Sequence, residues 1–519
     1  MAPALQQRLV FDTTVARATL AALVLLLASL ALAPVVALVA LSVGGGDFQT
    51  LLQLGPEGWS ALGHTLVLVI GVGLVVALLG TANGWLTASC AFPGRRWLRL
   101  AQVLPLATPA YLLAATWMDL GSRFGIPIHG LGWAIASLSL STYSYVFLLA
   151  SESFAALGRR PLEAARSLGV GPWGGFQRVA LPLALPAIGA GVALSGMEVV
   201  NELGAVELLG VSTLSTAILQ RWQVDGEPQA AAGLALVALL MVAVLLAAER
   251  SWRRRSRRWS LGSDLDRAPA YRLGGWRALA AQILALLPPL FTLGVPLLWL
   301  ALSWDQMQGQ EPLELFLLTS RSLGLALVAA IATLLLALVL AIARRWLPDA
   351  PWSPLTFLAG MGYAVPGAVL ALGLMLLGGG AGLAPVALLL WGYGDRFLTV
   401  AKQGLDAALE RVPPSLDEAA TSLGGNWWAV LRRIHLPLLR GPLLVGVLLV
   451  FVDVVKELPL TFALRPFDFD TLAVRVYQYA SDERLGAALV PALLILALGL
   501  VSALALVPTL QLGARDGPS

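Results

Sequence analysis

The chain has 519 residues, 58% of them hydrophobic and 12% charged, with a mean hydropathy of +0.80 and a formal net charge of +4. Soluble globular domains carry about 25% charged residues, so this balance excludes a soluble enzyme or a nucleic-acid-binding domain and places most of the chain in lipid. The single cysteine, Cys90, excludes an internal disulfide and a multi-cysteine metal cluster, and the three histidines (His64, His129 and His435) are far apart in sequence.

The first apolar run, 17–43, exceeds the ~7–15-residue core of a secretory signal and reads as a retained anchor. Eleven more helix-length apolar runs follow: 62–90, 97–118, 131–156, 183–206, 229–249, 277–303, 320–344, 353–377, 382–406, 438–463 and 484–508. Each can cross about 30 Å of hydrocarbon as a helix, which satisfies its own backbone there. Gly and Pro interrupt the third, ninth and tenth. The expected fold is therefore an all-α membrane protein of about twelve transmembrane helices.

Basic residues orient it. With both termini inside, only seven of the 34 Lys and Arg residues fall outside: Arg123, Arg221, Arg321, Lys456, Arg465, Arg475 and Arg484. Arg396 and Lys402 fall within the tenth run, and the rest are cytoplasmic, including a cluster from Arg250 to Arg258 that anchors topology against anionic lipid.

The sequence is written twice. Residues 161–182 read PLEAARSLGVGPWGGFQRVALP, and 413–437 contain PSLDEAATSLGGNWWAVLRRIHLP. An offset of 255 brings Glu163 onto Glu418, Gly169 onto Gly424, Trp173 onto Trp428, Arg178 onto Arg433 and Pro182 onto Pro437. It continues to Glu198 and Asp453, Glu202 and Glu457, and Thr216 and Thr471, while upstream it becomes 257, where Pro109 meets Pro366. Two six-span lobes, 1–250 and 277–519, are thus joined by a basic cytoplasmic linker, 251–276. An even number of spans per lobe makes them parallel repeats about an axis along the membrane normal.

Between the fourth and fifth spans of each lobe lie about 25 non-spanning residues with a shared pattern: E-A-A, Gly six residues after the Glu, and Leu-Pro ending thirteen residues later. Pro161 suits the start of a short helix, Ser415 and Glu418 have capping-box spacing, and Gly169 and Gly424 suit left-handed helix ends. Glu163 and Glu418 could equally do no more than favour a helix N-terminus.

These paired loops resemble the signature loops of ABC importer permeases, a resemblance that covers nearly the whole chain. It implies a type I permease fold in a bacterial inner membrane, with both termini cytoplasmic. Glu163, Ala164, Ala165, Gly169, Glu418, Ala419, Ala420 and Gly424 would form coupling helices that dock on two copies of a cytoplasmic ABC ATPase. The sequence has no G-x-x-x-x-G-K-[ST] phosphate loop, so ATP and Mg would belong to that separate subunit and this chain would be no enzyme.

Twenty residues beyond Pro182 and Pro437, roughly 30 Å along a helix, come Glu202 and Glu457, with Glu198 and Asp453 one turn deeper on the same faces. Intramembrane carboxylates line pathways or find partners. Hard oxygen donors suit a trivalent cation, whereas pairing with Lys456 or hydration at the interface is the structural alternative; no metal ligand set is assigned. The stretch KELPLTFALRPFDFDTLAVRVYQ and its first-lobe counterpart NELGAVELLG resemble the ferric-iron permeases, which implies a periplasmic iron-binding protein as partner. The same machine for thiamine, a polyamine or sulfate stays open, and so does a six-plus-six secondary transporter, although paired long loops have no place in that plan. No nucleophile, base and orienter combination points to a membrane enzyme. The tryptophans suit interfacial belts, and Tyr143, Tyr145, Tyr363 and Tyr393 suit packing.

Overall fold

The computed structural model describes residues 14–44, 54–256, 270–307, 311–347, 350–353, 355–359 and 361–511. A chain this apolar must satisfy its backbone internally, and the described residues are helical almost throughout. In order, the helices are α1 (Thr14–Gly44), α2 (Gly55–Ser89), α3 (Arg95–Ala101), α4 (Ala110–Arg123), α5 (Leu131–Leu157), α6 (Arg160–Ser167), α7 (Pro172–Asn201), α8 (Gly204–Leu208), α9 (Leu214–Leu219) and α10 (Pro228–Ser256). There follow α11 (Trp276–Leu302), α12 (Pro312–Trp346), α13 (Gly367–Ala381), α14 (Pro385–Leu409), α15 (Pro414–Ser422), α16 (Trp427–Lys456), α17 (Pro459–Leu464), α18 (Leu472–Ser481) and α19 (Leu485–Gln511).

Among the described residues nine helices are long and apolar enough to cross a membrane: α1, α2, α5, α7, α10, α11, α12, α16 and α19. The three runs that Gly and Pro interrupt behave differently. The third is a bent pair, Arg95–Ala107 and Ala110–Arg123, turned by 92°. Thr108 precedes Pro109 and is pushed out of the helical region to φ −101°, ψ 111°. The ninth falls into short pieces, Leu355–Leu358 and Met361–Ala364, before α13 starts behind Pro366, the repeat partner of Pro109. The tenth is instead the continuous 25-residue helix α14, distinguished by its charges Asp395, Arg396, Lys402 and Asp406.

The fifth and eleventh spans begin sooner than their apolar runs. Each carries a π-helical turn after its first four residues, Phe176–Ala180 in α7 and Leu431–His435 in α16, at the same point of the repeat. Such turns tend to sit at functional joints. Here they connect the signature loops to the spans.

The helices gather into two compact units that do not follow the halves of the sequence. One holds α1 with α12 to the start of α18; the other holds α2 to α11 with the end of α18 and α19. In the first unit α12 packs on α14 and α16, and α1 lies on α13 so closely that a side chain at Gly373 would strike the Pro34 carbonyl. In the second unit α2 runs along α5, with Gly80 against Val146, and α7 packs on α5 and α10. Small residues permit this approach where lipid supplies no hydrophobic drive between helices. Tyr143 and Tyr393 are fully buried within their units, Tyr143 hydrogen-bonding to Gln102 and Tyr393 to Thr461.

A two-residue parallel pair, β1 (Cys90–Ala91) with β2 (Tyr271–Arg272), fastens the end of the basic linker to the foot of α2. Cys90 is buried there, and burial pushes its thiol up to about 11 while Arg95 pulls the other way. The rest of the linker, 257–269, lies outside the described residues, as do the termini at 1–13 and 512–519.

Candidate functional site

The two signature loops fold alike. In the second unit, α6 carries Pro161 in its first turn, where a missing N–H costs nothing. It ends at Leu168, and Gly169 follows at φ +79°. Gly169 N–H donates to the Arg166 carbonyl at 3.0 Å and Val170 N–H to the Ala165 carbonyl at 3.0 Å. In the first unit, α15 ends at Leu423 and Gly424 lies at φ +80°. Gly424 N–H donates to Thr421 at 2.9 Å and Gly425 N–H to Ala420 at 2.9 Å. Both are complete Schellman motifs, so the left-handed glycine ends expected at 169 and 424 are formed.

The capping box expected from Ser415 and Glu418 is not. Pro413 and Pro414 preset the backbone, so α15 starts at Pro414 and Ser415 falls inside its first turn with no side-chain cap. Glu163 is exposed and pairs with Arg159 at 3.2 Å. Ala164 and Ala419 face outward, Ala165 is buried and Ala420 half-buried. Each motif also presents apolar surface that the repeat comparison passed over: Leu168 is 83% exposed and its partner Leu423 89%, beside exposed Trp173 and Trp428.

The loops are seated differently. Leu162 packs under α6, whereas the matching residue Asp417 is buried and charged. Arg345 Nε reaches Asp417 Oδ2 at 2.9 Å, and His435 Nε2 lies 3.1 Å from Oδ1. Arg345 Nη1 also donates to the carbonyls of Leu409 and Val412, at 2.7 and 3.1 Å. Burial alone would raise the Asp417 carboxyl, but His435 and Arg345 outweigh it and hold it below the usual carboxylate range. No sequence pattern flagged this cluster, because its members lie in three separate helices.

The outer carboxylates divide into two kinds. α7 ends at Asn201 and α16 at Lys456, so Glu202 and Glu457 are extended residues past the helix ends and do not share a helical face with Glu198 and Asp453. The cause is local: a new short helix begins behind each, α8 at Gly204 and α17 at Pro459. Glu202 Oε1 accepts Ala205 N–H at 2.9 Å. Glu457, buried, accepts Leu460 N–H on Oε1 and Thr461 N–H on Oε2, both at 2.9 Å. These carboxylates hold the N-termini of α8 and α17. Asp453 pairs with Lys456 at 2.9 Å, both partly exposed, while Glu198 is half-buried near the end of α7.

Known proteins are similar in sequence. The profile of the binding-protein-dependent transport system inner membrane component matches residues 80–258 and 353–507. The Fe(3+)-transport system permease protein FbpB 2 of Haemophilus influenzae is 26% identical over 454 residues, 84% of this chain and 87% of that protein. The molybdenum transport system permease protein ModB of Escherichia coli is 30% identical over 188 residues, 32% of this chain and 82% of its own length. The sulfate transport system permease protein CysT of Escherichia coli is 30% identical over 163 residues, 29% of this chain and 58% of its own length. One profile match falls in each half and takes in its signature loop, so the repeat is one permease unit used twice, and the chain belongs to the family of binding-protein-dependent transport system inner-membrane components.

Proposed function

We propose that this chain is the two-lobed permease of an ATP-driven importer that takes ferric iron from a periplasmic binding protein. The observation that carries the substrate is one of extent. The ferric-iron permease aligns along 84% of this chain, across both lobes, whereas the molybdenum and sulfate permeases align along about a third. In this reading the chain sits in the inner membrane with both termini and the linker inside, and ATP and Mg are bound by two copies of a partner ATPase.

Residues Glu163 to Gly169 and Glu418 to Gly424 then form the docking elements for those two copies. Their support is geometric: two short helices end identically, each with an apolar leucine and tryptophan turned out to solvent. Leu168 and Leu423 become the apolar contacts, since burying such a side chain contributes about 1.5–3 kcal/mol. Of the outer carboxylates, Glu198 and Asp453 are the pathway pair that meets the cation, and Glu202 and Glu457 hold the short helices bordering it. The test is reconstitution in liposomes with the ATPase and a ferric-loaded binding protein encoded beside it. Radiolabelled iron should accumulate only with ATP inside the vesicle compartment that holds the ATPase. Accumulation of sulfate or molybdate and not of iron overturns the substrate; transport without any ATPase overturns the importer.

A further inference from the structure

At one place the two copies of the repeat use opposite chemistry. The repeat offsets bring Arg345 onto Ala88, Asp417 onto Leu162 and His435 onto Ala180. All three first-lobe residues are buried and apolar, and none of their second-lobe partners is: Asp417 is 8% exposed, His435 fully buried and the Arg345 side chain nearly so. At these three positions the first loop is therefore seated by apolar contact and the second by a buried ion cluster.

The cluster reaches further than its own loop. Asp417 stands on α15, Arg345 in the last turn of α12, and His435 closes the π turn that leads into α16. Arg345 also binds the Leu409 and Val412 carbonyls at the end of α14, where a cation is favoured by the exposed carbonyls. The His435 ring packs edge-on against Trp346 at 5.8 Å. Arg345 and His435 thus tie the docking helix to α12 and α16, and Arg345 ties the same point to the end of α14, over contacts of 2.7 to 3.1 Å.

Apolar contact is non-directional, so α6 can slide over its seat at little cost. A buried ion pair cannot slide without leaving a charge unpaired in a medium of low dielectric. Such pairs add little net stability over apolar packing, so fixed geometry is what this one supplies.

We infer that Arg345, Asp417 and His435 are positioning residues that lock α15 to α12, α14 and α16, so that the second loop drives its spans as one piece while the first loop transmits motion loosely. This rests on the docking role given to α15. The test rebuilds the first lobe's own seat in the second with the triple variant Arg345→Ala, Asp417→Leu and His435→Ala, beside Asp417→Asn. Uptake and ATP hydrolysis are counted per assembled complex, so that a fall in abundance does not enter the result. The triple variant should bind the ATPase and hydrolyse ATP, yet lose about tenfold in uptake per ATP, the scale of a coupling free energy. Asp417→Asn should lose uptake per ATP as well. Wild-type uptake per ATP in both variants overturns the lock and reduces the cluster to packing. Failure of the unaltered chain to bind any ATPase is a different result, which removes the docking role itself.

Discussion

Glu457 and Thr461 are joined at three points. Thr461 N–H and Oγ1 both donate to Glu457 Oε2, at 2.9 and 2.6 Å, and Oγ1 also lies 2.9 Å from the Glu457 carbonyl. Tyr393 adds its hydroxyl to Thr461 Oγ1 at 2.6 Å. This buried acid is an architectural element, fixing α17 to α16. Glu457→Gln would set an amide N–H against donors, and hydrogen bonds to a charged group contribute about 1.5–3 kcal/mol. It should lower thermal stability and membrane abundance, with uptake per molecule little changed. Glu202→Gln, half-buried, should lose less. Equal stability of Glu457→Gln and the unaltered protein by thermal unfolding in detergent would contradict this role.

The pathway pair is expected to behave the other way. Glu198→Gln with Asp453→Asn removes one half-buried carboxylate and one partly exposed ion pair, which contributes about 0–1 kcal/mol. Abundance should hold while iron uptake falls, because the lost charges face a cation in a low-dielectric route. Uptake at the normal rate in this double variant would remove both residues from the pathway.

Gly169→Val and Gly424→Val test the docking helices. A Cβ at either position meets nothing within 4 Å, so the penalty is conformational and not steric. Left-handed backbone costs a residue with a side chain about 1–2 kcal/mol, enough to shift the helix end and the leucine before it. Membrane insertion should be unchanged and ATPase co-purification reduced. Full retention of the ATPase by the double variant would show that the loops only connect.

Asp417 supplies a pH dependence. Its carboxyl is held below the ordinary carboxylate range by Arg345 from α12 and His435 from α16, so the folded state binds this proton less readily than the unfolded chain. The stabilisation is complete above the unfolded value of about 3.9 and is lost as pH falls through the lower folded value. Melting temperatures of the unaltered protein and Asp417→Asn should differ by a constant margin above about pH 5 and converge in stronger acid. A margin that widens on acidification would refute the assignment.

How much was legible in the sequence follows from what each feature depends on. Span length, the repeat and the positive-φ glycines are local properties, and Gly169 and Gly424 sit where their spacing put them. The bend at Pro109 and the helix start behind Pro366 fall at prolines that interrupt those apolar runs. Ser415 misled because a capping box is also local, and two prolines just ahead of it moved the helix start. For Glu202 and Glu457, helix periodicity was extended one residue past the point where the helix stops. Asp417, Arg345 and His435 are separated by long stretches of chain, and only tertiary packing brings them together. Leu168 and Leu423 were visible as a repeated Leu-Gly, but nothing in a sequence tells an exposed leucine from a buried one.

The exchange of α1 between the halves has a consequence for biosynthesis. α1 is the first of the described helices to leave the ribosome, yet the helices it packs against, α12 and α13, are among the later ones. It therefore waits in the bilayer for those partners while the first lobe and the linker are made, which a helix with its own backbone bonds closed can do. The other unit waits in turn for α19. Neither unit holds all of its helices when one half of the message has been read, although the packing of α2 on α5 and of α12 on α14 lies within one half each, so a chain cut at the linker would leave α1 and α19 parted from the units they complete.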